Sequence, residues 1–149
     1  SKKKEFELSE DQSEDLCEWL QNTLKSKVKT VKITRRLDKA PAIVTGHESA
    51  SVQVMMNLAS GGADNHRTPQ TLNINPAHPV VRGLFYTMKE EEPLAKKVAE
   101  QMLDNAMIAA GLIKDPREML ARLGEIMTAA MDVEGIEMEL KEKKANKKK

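Results

Sequence analysis

The chain has 149 residues, enough for one domain with a core of its own. Charged residues make up 32% of it but balance to a net charge of +1, which excludes a strongly basic nucleic-acid-binding protein. The single cysteine, Cys17, excludes an internal disulfide, and no apolar run is long enough to span a membrane.

Residues 1–8 read as an unstructured basic leader opening on Lys2, Lys3 and Lys4. The chain begins in charged residues without a methionine, as a piece of a longer protein would. Ser9 followed by Gln12 is a capping-box pattern, in which each side chain satisfies a free amide of the other's turn. Leu16, Trp19, Leu20 and Leu24 then recur every three or four residues, so the spacing predicts a helix over Ser9–Lys25. From Val28 to Leu37 the period changes to two. Val31, Ile33 and Leu37 take one side and Thr30, Lys32 and Thr34 the other, which predicts a half-buried strand. Asp38-Lys39-Ala40-Pro41 supplies a turn, and Ala42–Thr45 reads as the second arm of an antiparallel hairpin.

Between Gly46 and Ser60 the apolar residues Val52, Met55, Met56 and Ala59 fit a one-sided helix, and Gly61-Gly62-Ala63-Asp64-Asn65 breaks it. Thr71–Asn75 is a third short strand. It stops at Pro76 and feeds a helix that opens on Pro79, whose fixed φ suits a first helical turn. Pro93 opens the next helix, which runs to Ala110, and Gly111 stands where a left-handed residue would end it. In Asp115-Pro116-Arg117-Glu118 the aspartate caps, the proline takes the first position and the glutamate closes the box. Met119, Leu120, Leu123, Ile126, Met127, Ala130 and Met131 then form a broad apolar stripe. The helix should fade near Asp132, continue weakly to Leu140 and end in a lysine-rich tail. The expected organisation is a leader over 1–8, one domain over 9–131 and a tail over 132–149. The fold class is α+β, a small three-stranded sheet packed by helices and ending in a helical hairpin.

Little in this sequence speaks of catalysis. His47, His66 and His78 do not stand at metal-ligand spacing, and Cys17 has no partner thiol, so no metal site is expected. His78, between prolines at a helix entrance, reads as a structural hydrogen-bonding residue. Gly61-Gly62 lacks the lysine and hydroxyl of a phosphate loop. Glu100 and Asp104 share a face with Lys96 and Lys97, which reads as a solvated, ion-paired surface. An acid–base site built on His47, Asp64 and His66 is the weakest reading. A nucleic-acid adaptor using the lysine-rich ends is an alternative, but no aromatic stacking platform accompanies those lysines.

The last two helices carry more apolar surface than one domain needs to cover. One side of such a hairpin packs at home, and the other is left over. Pairing with a second copy about a two-fold axis covers it, as a four-helix bundle.

Thr71-Leu72-Asn73-Ile74-Asn75-Pro76-Ala77-His78-Pro79 resembles the segment that opens the terminal helices in the C-terminal domain of the ninety-kilodalton heat-shock chaperones. Asp104-Asn105-Ala106-Met107-Ile108-Ala109-Ala110-Gly111-Leu112-Ile113-Lys114-Asp115-Pro116 resembles the family segment that follows, with the mitochondrial branch nearest. Trp19 to Leu37 and Pro41 to Thr45 also agree in order and spacing, so the resemblance covers residues 9–131. It implies a homodimerisation and client-contact domain of an ATP-driven chaperone, with the final two helices of each protomer in an intermolecular four-helix bundle. The nucleotide site, with ATP and magnesium, would belong to parts of the parent outside this chain, and the fragment itself would not be an enzyme. The implied dimer interface draws on Met102, Ala106, Ala109, Ala110, Leu112, Met119, Leu120, Leu123, Ile126, Met127 and Ala130. The implied client-contact residues are Val52, Met55, Met56 and Leu58, for unfolded or partly folded proteins. Cytosolic members end in an acidic pentapeptide that recruits tetratricopeptide co-chaperones. This chain ends Asn146-Lys147-Lys148-Lys149, so that recruitment is not expected. The mitochondrial matrix is the implied compartment and the cytoplasm the alternative.

Overall fold

A computed structural model describes residues 7–35, 39–46, 55, 58–59, 70–113 and 115–147, with the backbone alone at 133 and 134. The elements are α1 (Glu10–Thr23), β1 (Val28–Ile33), β2 (Ala42–Thr45), β3 (Gln70–Ile74), α2 (Pro79–Glu90), α3 (Glu92–Ala109), a 3-10 turn (Pro116–Met119), α4 (Leu120–Met131) and α5 (Val133–Lys147). This is an α+β fold. The chain divides into two compact units, residues 1–116 and 117–149, where the sequence reads 9–131 as one domain.

The first unit is built on the mixed sheet, whose order is β1-β3-β2. β3 runs parallel to β1, with Val31 opposite Leu72 and Ile33 opposite Ile74, and antiparallel to β2, with Val44 opposite Leu72. The expected β1–β2 hairpin is therefore corrected. The two strands flank β3 and do not pair with each other. β3 takes the centre because it is the strand best suited to burial there: Leu72 and Ile74 are fully covered, while β1 alternates with Lys29 and Lys32 in solvent. Edge strands tolerate lysine and are protected by it. The simple two-residue alternation expected along β1 also fails. The register shifts between Val28 and Thr30, so Val28 and Val31 both face inward. Leu37 lies outside the described residues.

α1 forms as the capping box demands. Ser9 Oγ accepts from Gln12 N at 3.1 Å, and Gln12 Oε1 accepts from Ser9 N at 2.9 Å. Its apolar positions Leu16, Leu20 and the following Leu24 are buried, and the helix packs against β1. One polar side chain locks that contact. Gln21 Oε1 accepts from the backbone N–H of Val31 at 2.9 Å and from Thr30 Oγ1 at 3.1 Å. Val31 is buried, so this N–H has little recourse to water. Replacing Gln21 by alanine should cost about 1–3 kcal/mol, read as a lower urea midpoint at unchanged slope.

The segment after β3 is a knot of backbone hydrogen bonds. Asn75 N donates to Pro41 O at 2.9 Å and His78 N to Asn75 O at 3.1 Å, while Leu8 N reaches Pro76 O at 3.1 Å. Asn75 Oδ1 accepts from Ala77 N at 3.0 Å, and His78 Nδ1 accepts from Val80 N at 3.1 Å, capping α2. The expected structural role of His78 is thus a helix cap, which requires an unprotonated Nδ1. Leu8 is buried and bonded here, so the expected unstructured leader does not extend through residue 8; residues 1–6 lie outside the described residues.

α2 buries Val81, Leu84 and Phe85. α3 packs on both α2 and β2, and its small residues Ala95 and Ala99, fully covered, let it approach closely. The end of α3 is a Schellman motif. Gly111, at φ +75°, allows Leu112 N to reach Met107 O at 2.8 Å and Gly111 N to reach Ile108 O at 2.9 Å. One apolar cluster joins α1, the sheet, α2 and α3.

In the second unit the predicted helix start differs in form. Pro116–Met119 is a 3-10 turn, and α4 begins at Leu120 without a side-chain cap. α4 ends at Asp132, whose left-handed φ of 45° breaks the chain direction. α5 then runs through Lys147, well beyond the weak extension to Leu140 that the sequence suggests. Glutamate and lysine are good helix formers, and acidic residues early with basic ones late suit the helix dipole.

Candidate interaction surfaces

The eleven positions expected at a dimer interface divide into two groups. Met102, Ala106, Leu112 and Met119 are already buried in the single chain. Ala109, Leu120, Met127 and Ala130 are exposed, and Ala110, Leu123 and Ile126 are half-buried. The exposed group is concentrated on α4, which has no fully buried residue; Leu120, Met127 and Met131 are 61%, 67% and 63% exposed. Ile108 at the end of α3 is also an exposed apolar side chain, outside the eleven expected positions. The helical period places Ile108 beside Ala109, but period alone does not say which of two apolar sides is covered at home.

Of the client-contact candidates, Met55 and Leu58 are helical and strongly exposed. Val52 and Met56 lie outside the described residues, as do His47, His66 and the Gly61-Gly62 loop. Among the described residues no group of three His, Cys, Asp or Glu side chains converges as a metal site would, and no helix is long and apolar enough to cross a membrane.

The surface expected around Lys96, Lys97, Glu100 and Asp104 is only partly solvated. Lys96 pairs with Glu92 at 3.5 Å in the open, but Asp104 is buried. Asp104 and its buried neighbour Gln101 lie on the α3 side that packs inward, and Gln101 Nε2 donates to Asn105 Oδ1 at 2.9 Å. On α2, Lys89 Nζ sits 4.3 Å from the Phe85 ring centroid, and Phe85 meets Tyr86 edge to face at 5.1 Å.

Cys17 is half-buried on α1. Burial, and secondarily the nearby Glu14 carboxylate, push its thiol up from 9.0 to about 11. The thiolate is therefore scarce at neutral pH. Alkylation at pH 8 should run about a hundredfold slower in the folded protein than in urea. Because the folded-state value lies above the unfolded one, the stability linked to this thiol is present below pH 9 and is lost as pH climbs through about 11.

A family model for "Hsp90 protein" matches residues 1–149. The chain belongs to the Hsp90 family. It is 37% identical over 129 residues to "Heat shock protein 75 kDa, mitochondrial" of Rattus norvegicus, covering 84% of this chain and 18% of that protein. It is 32% identical over 129 residues to "TNF receptor-associated protein 1 homolog, mitochondrial" of Dictyostelium discoideum, covering 87% and 18%. Against "Chaperone protein HtpG" of Desulfitobacterium hafniense the identity is 40% over 126 residues, covering 83% and 20%. The chain thus spans only about a fifth of the length of these Hsp90-family relatives. The Hsp90 resemblance read from the Asn-Pro-Ala-His-Pro junction and the Asn105–Leu112 run agrees with this family match, and the junction is the backbone knot between β3 and the start of α2.

Proposed function

We propose that this chain is the homodimerisation and client-contact module of an ATP-driven Hsp90-type chaperone. The observation that carries the reading is α4, an amphipathic helix whose apolar side chains stand in solvent. A second copy of the chain would cover that face, removing roughly 800 Å² from each partner. Leu120, Leu123, Ile126, Met127 and Ala130 are its contact residues, with Ala109 and Ala110 at the end of α3 as further candidates. The intermolecular four-helix bundle implied by the resemblance is the arrangement that uses them.

The action is mechanical. Pairing at this end holds the two parent chains together, so closure of their other parts becomes nearly intramolecular and its effective concentration rises into the millimolar range, ~1 mM for a flexible link. ATP and magnesium would bind in parts of the parent outside this chain. Met55 and Leu58, with Val52 and Met56, are the proposed contacts for unfolded clients. Exposed methionines suit that work, because a flexible thioether adapts to varied apolar surfaces. The names of the rat and Dictyostelium relatives support a mitochondrial location, with the cytoplasm as the alternative.

Subunit exchange tests the pairing. Donor- and acceptor-labelled chains, mixed, should develop energy transfer, and unlabelled chain should compete it away; no transfer at micromolar concentration would sink the proposal. For client contact, Met55→Ser with Leu58→Ser should weaken suppression of client aggregation severalfold while leaving the melting temperature unchanged. Full suppression by that variant would move the client surface elsewhere.

A further inference from the structure

α5 follows α4 as a fifteen-residue helix whose described side chains are almost all in solvent. Among the described residues it makes no extensive packing against α4. Its apolar residues Ile136, Met138 and Leu140 are 51%, 63% and 53% exposed. Its charges are segregated along its length. Glu137 and Glu139 lie in the first half and Lys143, Lys144 and Lys147 in the second, with Lys141 and Glu142 where the signs change. Glu137 with Lys141 and Glu139 with Lys143 stand four residues apart, a spacing that permits ion pairs within the helix. None of these side chains is ion-paired among the described residues.

A helix that is acidic at one end and basic at the other is complementary to itself when reversed. We propose that α5 is a second dimer contact, in which the two copies lie antiparallel across a two-fold axis near Leu140. At 3.6 residues per turn, Ile136, Glu137, Leu140, Lys143, Lys144 and Lys147 share one side of α5. Turning a second copy end for end brings Glu137 to Lys144 of the partner subunit, while Glu139, at the margin of that side, lies toward Lys143 of the partner subunit. The symmetry repeats both pairs. Leu140 meets its own copy at the axis, and Ile136 lies under the aliphatic stems of Lys144 and Lys147. A parallel arrangement would set glutamate against glutamate and lysine against lysine, so the charge pattern selects the antiparallel one. Charge segregation also suits the helix dipole of an isolated α5, but the dipole gives no reason for exposed Ile136 and Leu140 on the same side as Glu137 and Lys144.

This contact rests on the dimer reading above and adds to it, so the experiment separates the two. Dimer dissociation of the full chain is measured by sedimentation at low salt for three charge variants. Lys143→Glu with Lys144→Glu should weaken the dimer about tenfold, since each exposed pair contributes little alone. Glu137→Lys with Glu139→Lys should weaken it similarly. All four substitutions in one chain should restore wild-type affinity, because the antiparallel pairing returns with the signs exchanged. Added salt should weaken the wild-type dimer and tighten the two half-swapped variants, in which like charges face each other. Wild-type affinity in every variant would overturn the α5 contact and leave the α4 interface standing. Weakening without restoration in the combined variant would place α5 on some other surface and would equally overturn it. A wild-type chain that stays monomeric would instead remove the dimer reading on which the contact rests. The helical circular dichroism and the melting temperature of the first unit report whether the variants remain folded.

Discussion

Leu72→Ala should cost about 2–5 kcal/mol of folding stability. Leu72 is fully buried at the middle of β3, the strand between both neighbours of the sheet. It stands opposite Val31 on one side and Val44 on the other, both buried. Truncation removes apolar surface from the core and leaves a cavity that strands tied on both sides cannot collapse to fill. A domain of this size holds only about 5–15 kcal/mol in total, so the melting temperature should fall by several degrees at least. Urea denaturation of the variant checks this; a loss under about 1 kcal/mol would mean that β3 is not the packed centre of the sheet.

Leu123→Asp combined with Met127→Asp should split the dimer while leaving the protomer folded. These residues are four apart on α4, half-buried and exposed respectively. Neither belongs to the core cluster of the first unit. A carboxylate on the pairing face would have to be dehydrated without a partner, or keep its water and hold the faces apart. Either route should raise the dissociation constant by about a thousandfold or more. Sedimentation of the variant should give the single-chain mass, with circular dichroism and melting close to wild type. An unchanged mass would take both positions out of the interface.

Local signals in the sequence carried far. The Ser9–Gln12 box, the Pro79 helix start and the left-handed Gly111 each describe a turn made by residues near one another, and each occurs where its chemistry places it. The expected hairpin fails for the opposite reason. Val28–Ile33 and Ala42–Thr45 are adjacent in sequence and joined by turn residues, but the strand that separates them begins at Gln70. Nothing in the turn between the two strands encodes the arrival of a third. A sign was present in their composition, since Lys29 and Lys32 suit an edge and the apolar Leu72 and Ile74 suit a centre.

The interaction surfaces were legible as apolar stripes and not as partners. Met102 and Ala106 follow the same helical period as Ala109, yet they are buried within the single chain while Ala109 is exposed. Periodicity identifies a helix face that avoids water without saying what covers it. Asp104 reversed in the same way: its charge reads as solvated, and the turn of α3 carries it inward beside Gln101. The extent of α5 escapes the sequence reading because a lysine-rich end reads as a solvated tail, although Glu and Lys four residues apart also favour helix.

The mass of the unaltered chain in solution, by sedimentation equilibrium at micromolar concentration and moderate salt, tests the central claim most directly. A twofold assembly of the 16.6 kDa chain is the predicted result. A mass of one chain across the whole concentration range would contradict it, because the apolar side of α4 would then stand in water with no second copy to cover it.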